Sequence, residues 1–254
     1  MLPNPPGRFT GRVESYRRHR PRYPAGIVDL LRRECGLSGD AVVADVAAGT
    51  GLLAEIFLAA GLAVTAIEPN AEMRAACSEL ERVYPALHCI SGTAEDTGLP
   101  DRSVDLITVA QAMHWFDLER ARAEFTRVLK PGGWCVVIYN NRHEGGDAFH
   151  EAYEQFLLEF GIDYVSVKRQ HVGRKRLARF FAPEQMKCAV LPNSQVLTQE
   201  GLEGRILSSS YIPRSGDERF HEMQSELRNL FEKHQSGGAV TVEYDCVVCH
   251  GQLA

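Results

Sequence analysis

A doubly wound α/β fold with a parallel sheet is predicted by three features of the sequence. Short apolar runs alternate with helix-length stretches through the middle of the chain, the runs are continuously apolar, and the first of them empties into a glycine turn. The runs lie at 41–46, 63–68, 104–109 and 134–139, each bounded by Gly, Pro or Asp. A strand with one wet face would alternate polar and apolar residues, so unbroken apolarity means helices on both faces of the sheet. After the last run the spacing becomes helical. Phe149, Tyr153, Phe156, Leu157 and Phe160 form one stripe behind a possible cap at Asp147. Phe220, Met223, Leu227, Leu230 and Phe231 form a second, stopped by Gly237 and Gly238. Both stripes are read as core packing of a largely helical insertion, after which residues 239–248 (AVTVEYDCVV) return to a strand that closes the sheet.

Composition narrows the function classes. The chain has 254 residues, 44% hydrophobic and 24% charged, enough for one sizeable core and unlike a disordered or collagenous chain. With 28 basic against 33 acidic residues the net charge is -5, so nothing draws the whole surface to nucleic acid or an anionic membrane. No uncharged apolar run approaches the roughly 18 residues of a membrane span, and the start MLPNPPGRF lacks the apolar segment of a signal peptide. Seven cysteines scattered from Cys35 to Cys249 are expected to be buried or free thiols in a cytoplasmic setting. Cys246-Val247-Val248-Cys249-His250 matches a haem-attachment pattern, but a strand would point the two cysteines to opposite faces, and zinc would need further ligands. No metal is expected.

The chemistry concentrates in residues 42–51, VVADVAAGTG, with a helix read over 52–60. Gly49 and Gly51 permit positive φ and close backbone approach, and the helix start presents free N–H groups. Glu68 ends the second run about 20 residues later, where a carboxylate can accept both hydroxyls of a ribose. Gly49, Gly51 and Ala54 also satisfy G-x-G-x-x-A, which leaves an NAD-dependent oxidoreductase as an alternative. Asp45 weighs against it: a carboxylate at the mouth of the turn repels a pyrophosphate but suits an ammonium group, such as that of S-adenosylmethionine.

Asp45 with AAGTG, Glu68-Pro69-Asn70, Thr93-Ala94-Glu95-Asp96, VDLITVAQAMHWFD from Val104 and VLKPGGW from Val128 together resemble a class I S-adenosylmethionine-dependent methyltransferase. The AQAMHWF stretch, YRRHRPRYP from Tyr16 and SSSYIP from Ser208 look most similar to the type 11 and trans-aconitate methyltransferase-like group. The resemblance covers nearly the whole chain, more loosely over 142–238. It implies a Rossmann-like, doubly wound, seven-stranded and mostly parallel sheet whose last strand is antiparallel. It divides the chain into an N-terminal lid (1–34), a cofactor-binding core (35–141), a cap that receives the acceptor (142–238) and a closing strand (239–254).

The resemblance further implies the roles of single residues. Asp45, Ala47, Gly49 and Gly51 surround the methionine portion of S-adenosylmethionine, Glu68 and the adjacent Pro69 meet the ribose, Ala94 and Glu95 lie along the adenine edge, and Gln111 faces the methyl-transfer centre. Ala47 departs from the family pattern by replacing the first glycine of D-x-G-x-G. Tyr16 and Arg20 close the site, the guanidinium pairing with the cofactor carboxylate. They lie in a segment that has six arginines (Arg8, Arg12, Arg17, Arg18, Arg20, Arg22) and otherwise reads as a solvated tail. His114 is the candidate base, or else a histidine packed beside Trp115; Trp115 and Tyr211 are candidate linings of the acceptor pocket. The basic stretch from Lys168 to Arg179 reads either as a guide for an anionic acceptor or as the wet face of a helix. A small organic acceptor, carboxylate or hydroxyl, is the expected partner, with a methyltransferase of RNA or protein as the alternative. The acidic net charge and the lack of an Asn-Pro-Pro-Tyr signature after the fourth strand weigh against the latter.

Overall fold

The computed structural model describes residues 13–169 and 173–253. Seven strands, β1 (Val42–Val46), β2 (Ala63–Ile67), β3 (Leu87–Ile90), β4 (Val104–Ala110), β5 (Leu129–Arg142), β6 (Lys187–Leu197) and β7 (Val240–Gly251), form one sheet in the order β3-β2-β1-β4-β5-β7-β6. Neighbours from β3 through β5 are parallel, while β7 runs antiparallel to both β5 and β6. Among the described residues the α-helices are α1 (Val13–His19), α2 (Gly26–Cys35), α3 (Ala54–Ala59), α4 (Ala71–Ser78), α5 (Leu118–Val128), α6 (Ala148–Phe160), α7 (Tyr164–Arg169), α8 (Arg174–Phe181), α9 (Gln199–Leu207) and α10 (Phe220–His234). No helix among the described residues is long and apolar enough to cross a membrane.

The continuous apolarity of the central strands has the cause the sequence suggests. On one face Ala44, Val46, Ile107, Val109 and Val137 pack against Phe125 and Val128 of α5 and Phe180 and Phe181 of α8. On the other, Val43, Leu106, Val136 and Ile138 pack against Ile27 and Leu31 of α2 and Phe57 of α3. Within residues 1–34, therefore, α2 belongs to the layer that covers the sheet. A third cluster holds both predicted stripes, Phe149 to Phe160 of α6 and Phe220 to Phe231 of α10, around Leu202 and Ile206 of α9 and Val242 and Tyr244 of β7. Asp147 caps α6, accepting from the His150 N–H.

Two expectations need correction. The stretch 142–238 is largely helical, as expected, but it also contains β6, so β7 does not close the sheet: it is an interior strand with β6 outside it. Pro192 and Asn193 in the middle of β6 read against a strand, yet at a sheet edge a proline forfeits no ladder bond. The second correction concerns the cysteines. Cys188 of β6 faces Cys249 of β7 in register, and the two are disulfide-bonded, so they are not thiols. Cys35, Cys77, Cys89, Cys135 and Cys246 are free. Cys246 and Cys249 do lie on opposite faces of the sheet.

The loop after β3 is held by a buried acid. Glu124 of α5 accepts from the Thr97 N–H at 2.9 Å and hydroxyl at 2.6 Å, and its oxygens pair with Arg127. These donors, Arg127 foremost, hold its carboxyl down at about 2, against 4.5 ordinarily. A depressed carboxyl contributes stability that is complete above its unfolded value and fades as pH falls through the folded one. Glu124→Gln should therefore cost about 1–3 kcal/mol at neutral pH and flatten the loss of stability between about pH 4.5 and 2. Urea midpoints measured across that range check both.

Candidate functional site

β1 and β4 are neighbours at the point where the strand order reverses, and ligands of open α/β sheets bind beyond the strand ends there. Asp45, on β1 in register with Thr108 of β4, is 1% exposed. Its Oδ1 accepts the Thr108 hydroxyl at 2.8 Å, whereas Oδ2 is buried and makes no hydrogen bond among the described residues. Burial pushes the Asp45 carboxyl up to about 7, against the pull of the Thr108 hydroxyl and the Ala54 N–H, and the nearby Glu68 adds to the rise.

The chain then turns through left-handed backbone: φ is 57° at Ala47, 59° at Gly49 and 84° at Gly51. Ala47 thus keeps the conformation that a glycine there would take, at the cost of a Cβ crowding its own carbonyl. At Gly51, left-handed as well, a Cβ would fall 2.8 Å from both Cys77 Sγ and Leu80 Cδ1, so any side chain there would be strained and would have to displace both. Glu68 ties the turn to β2. Its Oε2 accepts from the Gly49 N–H and its Oε1 from the Asn70 N–H, each at 2.8 Å. Burial raises its carboxyl above the usual value. A carboxylate has about four lone-pair sites, so roughly two remain for a ligand. Thr50 adds a buried hydroxyl oxygen with no partner among the described residues.

Gln111 ends β4, also left-handed at φ 57°, with its Nε2 donating to the Asn140 carbonyl at 3.2 Å. Together with Leu52 of the turn it opens onto a cavity of about 730 Å³. Tyr16, Arg20, His114, Trp115 and Tyr211 line that same cavity, so six of the predicted residues, Gln111 included, come together from three separate parts of the chain. His114 and Trp115 sit on the short turn after β4, their rings 4.5 Å apart. α1 is seated against α9: Ser15 Oγ donates to the Gly204 carbonyl at 3.0 Å, and the Arg20 guanidinium donates to the Ser208 carbonyl at 3.0 Å and stacks over Tyr16. Arg20 Nε is buried with no partner among the described residues.

The remaining predicted residues lie outside the cavity. Asp45, Ala47, Gly49, Gly51 and Glu68 surround the turn, with Pro69 exposed just beyond. Ala94 is buried in the core, and Glu95 Oε1 accepts from the Asp117 N–H at 2.8 Å, with no hydrogen bond to its other oxygen among the described residues. Arg8 and Arg12 lie outside the described residues. Of the basic stretch, Lys168 and Arg174 line the cavity, while Lys175, Arg176 and Arg179 form the exposed face of α8. Sequence reasoning missed Arg142 and Arg205. The latter stood out in one respect, an arginine on the apolar stripe of Leu202 and Ile206.

Two substitutions test this geometry. A carboxyl raised by burial contributes stability below its unfolded value that is lost as pH rises through the folded one. Asp45→Asn should accordingly stabilise the protein at pH 8, by on the order of 2–4 kcal/mol, and have little effect near pH 4. Ala47→Gly removes the left-handed strain but loosens the unfolded chain, for a net gain of at most about 1 kcal/mol. Denaturant unfolding measures both, and a marked loss of stability in either variant would contradict the geometry described.

Residues 44–137 match the methyltransferase domain family. An uncharacterized methyltransferase of Mycobacterium tuberculosis (strain H37Rv) is 40% identical over 136 residues, 54% of this chain and 53% of that protein. The chain thus spans about half the length of the mycobacterial relatives it matches. A methyltransferase-like protein of Schizosaccharomyces pombe is 29% identical over 223 residues, 87% of this chain and 85% of its own. A solved structure, a candidate type II methyltransferase from Anaeromyxobacter dehalogenans, superposes with a TM-score of 0.68 at 22% identity, covering 92% of this chain and 98% of that one, a likeness of fold. The matched domain spans β1 to β5, and over its wider length the chain is similar in sequence and in fold to methyltransferases.

Proposed function

We propose that this protein methylates a small organic molecule held in the cavity below the cap, using S-adenosylmethionine and releasing S-adenosylhomocysteine. The observation that supports this most is the buried Asp45 carboxylate, whose Oδ2 makes no hydrogen bond among the described residues and lies beside a left-handed turn. An ammonium group answers that vacancy in charge and in hydrogen bonding, and a pyrophosphate does not. When bound, the cofactor supplies a methyl carbon already activated on a sulfonium sulfur, so the protein's own work is to position, to enclose and to exclude water.

Asp45 faces the amino group, and the backbone at Ala47, Gly49 and Gly51 admits the methionine chain. Glu68 takes the ribose hydroxyls on its remaining lone pairs, with Pro69 beside it. The Ala94 N–H and the second oxygen of Glu95 serve the adenine edge. Tyr16 and Arg20 cover the methionine end, the Arg20 guanidinium meeting the carboxylate. Gln111 stands between cofactor and acceptor, where its side chain is oriented by Asn140. Trp115 and Tyr211 wall the acceptor. A carboxylate acceptor loses no proton on methylation; a hydroxyl acceptor gives its proton to His114. The described residues ahead of α2 then act as a lid, and 35–141, 142–238 and 239–254 as cofactor core, cap and C-terminal strand of the sheet.

Titration with S-adenosylhomocysteine, with NADH in parallel, tests the reading. Contact with an ammonium requires ionised Asp45, so affinity should rise from about pH 6 to 8 and level off above. Asp45→Asn should weaken binding at least about tenfold and abolish that rise, and Glu68→Gln should weaken it as well. Affinity that ignores pH would remove the role given to Asp45, and binding of NADH alone would replace the reading with the oxidoreductase one.

A further inference from the structure

The cavity carries more positive charge than its acids offset. Among the described residues that line it, Arg20, Arg142, Lys168, Arg174 and Arg205 are set against one acid, Glu144. Lys168 pairs with Glu144 and with Glu154, which stands behind the wall and also pairs with Arg142. Those two cations are thereby answered. Arg20 and Arg205 have no carboxylate partner among the described residues. Arg205 is only 7% exposed, and its Nε and Nη1 donate to neutral groups, the Tyr244 hydroxyl at 3.4 Å and Ser209 Oγ at 3.1 Å.

A guanidinium removed from water and met only by hydroxyls remains short of a counterion. Its charge also bears on Arg20, whose pKa is lowered by burial and next by Arg205. Two neighbouring cations, Arg205 buried and Arg20 half-buried, invite an anion. If Arg20 serves the cofactor carboxylate, Arg205 is left for the acceptor. The rest of the wall is aromatic: Trp115, Tyr139, Tyr164, Tyr211 and Tyr244 border the same space. Such rings favour a flat, polarisable guest. One guanidinium fork matches the planar geometry of a carboxylate, whereas a dianionic phosphate calls for more donors than Arg205 and its hydroxyl neighbours provide.

Building on the methyl-transfer reading above, we propose that the acceptor is an aromatic carboxylic acid, its carboxylate held by Arg205 and its ring laid against the tyrosines and Trp115 of the cavity. Arg205 is then the residue that sets acceptor specificity.

The test is calorimetric titration of the protein saturated with S-adenosylhomocysteine, using 4-hydroxybenzoate, 4-hydroxybenzamide, cyclohexanecarboxylate and phenyl phosphate as probes. 4-Hydroxybenzoate should bind at least about tenfold more tightly than each of the others. Arg205→Gln, which keeps donors for Tyr244 and Ser209, should erase the preference for acid over amide while leaving S-adenosylhomocysteine affinity within about twofold. Arg205→Met serves the same purpose should the glutamine variant fail to fold. Equal binding of acid and amide, a preference that survives loss of the guanidinium in a variant still binding S-adenosylhomocysteine, or tighter binding of cyclohexanecarboxylate or phenyl phosphate would each overturn the proposal. Failure of the wild-type protein to bind S-adenosylhomocysteine would instead strike at the methyl-transfer reading itself.

Discussion

One carboxylate, buried at the reversal point of the sheet and only half satisfied, is the constraint around which this structure is arranged. Asp45 Oδ1 accepts the Thr108 hydroxyl across the β1–β4 pair, while Oδ2 makes no hydrogen bond among the described residues. Such a group is costly in a folded interior, and it persists because the strands on either side are covered by helices on both faces. The turn that follows is costly in the same way, since Ala47 takes a conformation better suited to glycine. Glu68 holds that turn in place from β2 through the Gly49 N–H. Local strain and local desolvation thus converge on a few residues, as is common where a protein is built to receive a ligand.

The second organising feature is the length of β5, β6 and β7. These strands are 14, 11 and 12 residues long, against 5 for β1 and β2, and their far ends extend into the cap. Val240, Val242 and Tyr244 of β7 pack with α6, α9 and α10, so one strand belongs both to the sheet and to the cap's core. Cap and sheet therefore form one packed unit, with the cavity at their junction. α1 closes the remaining side by seating on α9, where the absence of a side chain at Gly204 lets the His19 ring approach. Cys188–Cys249 links the edge strand β6 to β7 within the cavity wall.

Much of this was legible before any coordinates. The apolar runs, the Asp45-to-Gly51 turn and Glu68 were readable because they depend on local rules: strand period, glycine conformation and the fixed reach of a β-α-β unit. Both helical stripes of the cap were readable for the same reason. β6 was not, since Pro192 and Asn193 are acceptable only on an edge strand, and edge position is a property of the whole sheet. The disulfide followed β6 out of sight, because only the β6–β7 register brings Cys188 and Cys249 together. Arg205 showed itself only as a charge on an apolar stripe, with nothing in the sequence to say what surrounds it.

By itself, then, the sequence determined the fold class, the resemblance to methyltransferases and the residues of the turn, each of which rests on residues near one another along the chain. The tertiary structure decided what lies beyond it. It placed Tyr16, Arg20, Gln111, His114, Trp115, Tyr211 and Arg205 around one cavity, and it answered Arg142 with Glu154 while leaving Arg205 without an acid among the described residues. Such pairings depend on chain separations of up to nearly two hundred residues, as between Arg20 and Ser208. Whether a charge is compensated is a matter of who its neighbours are in space, and no local pattern encodes that.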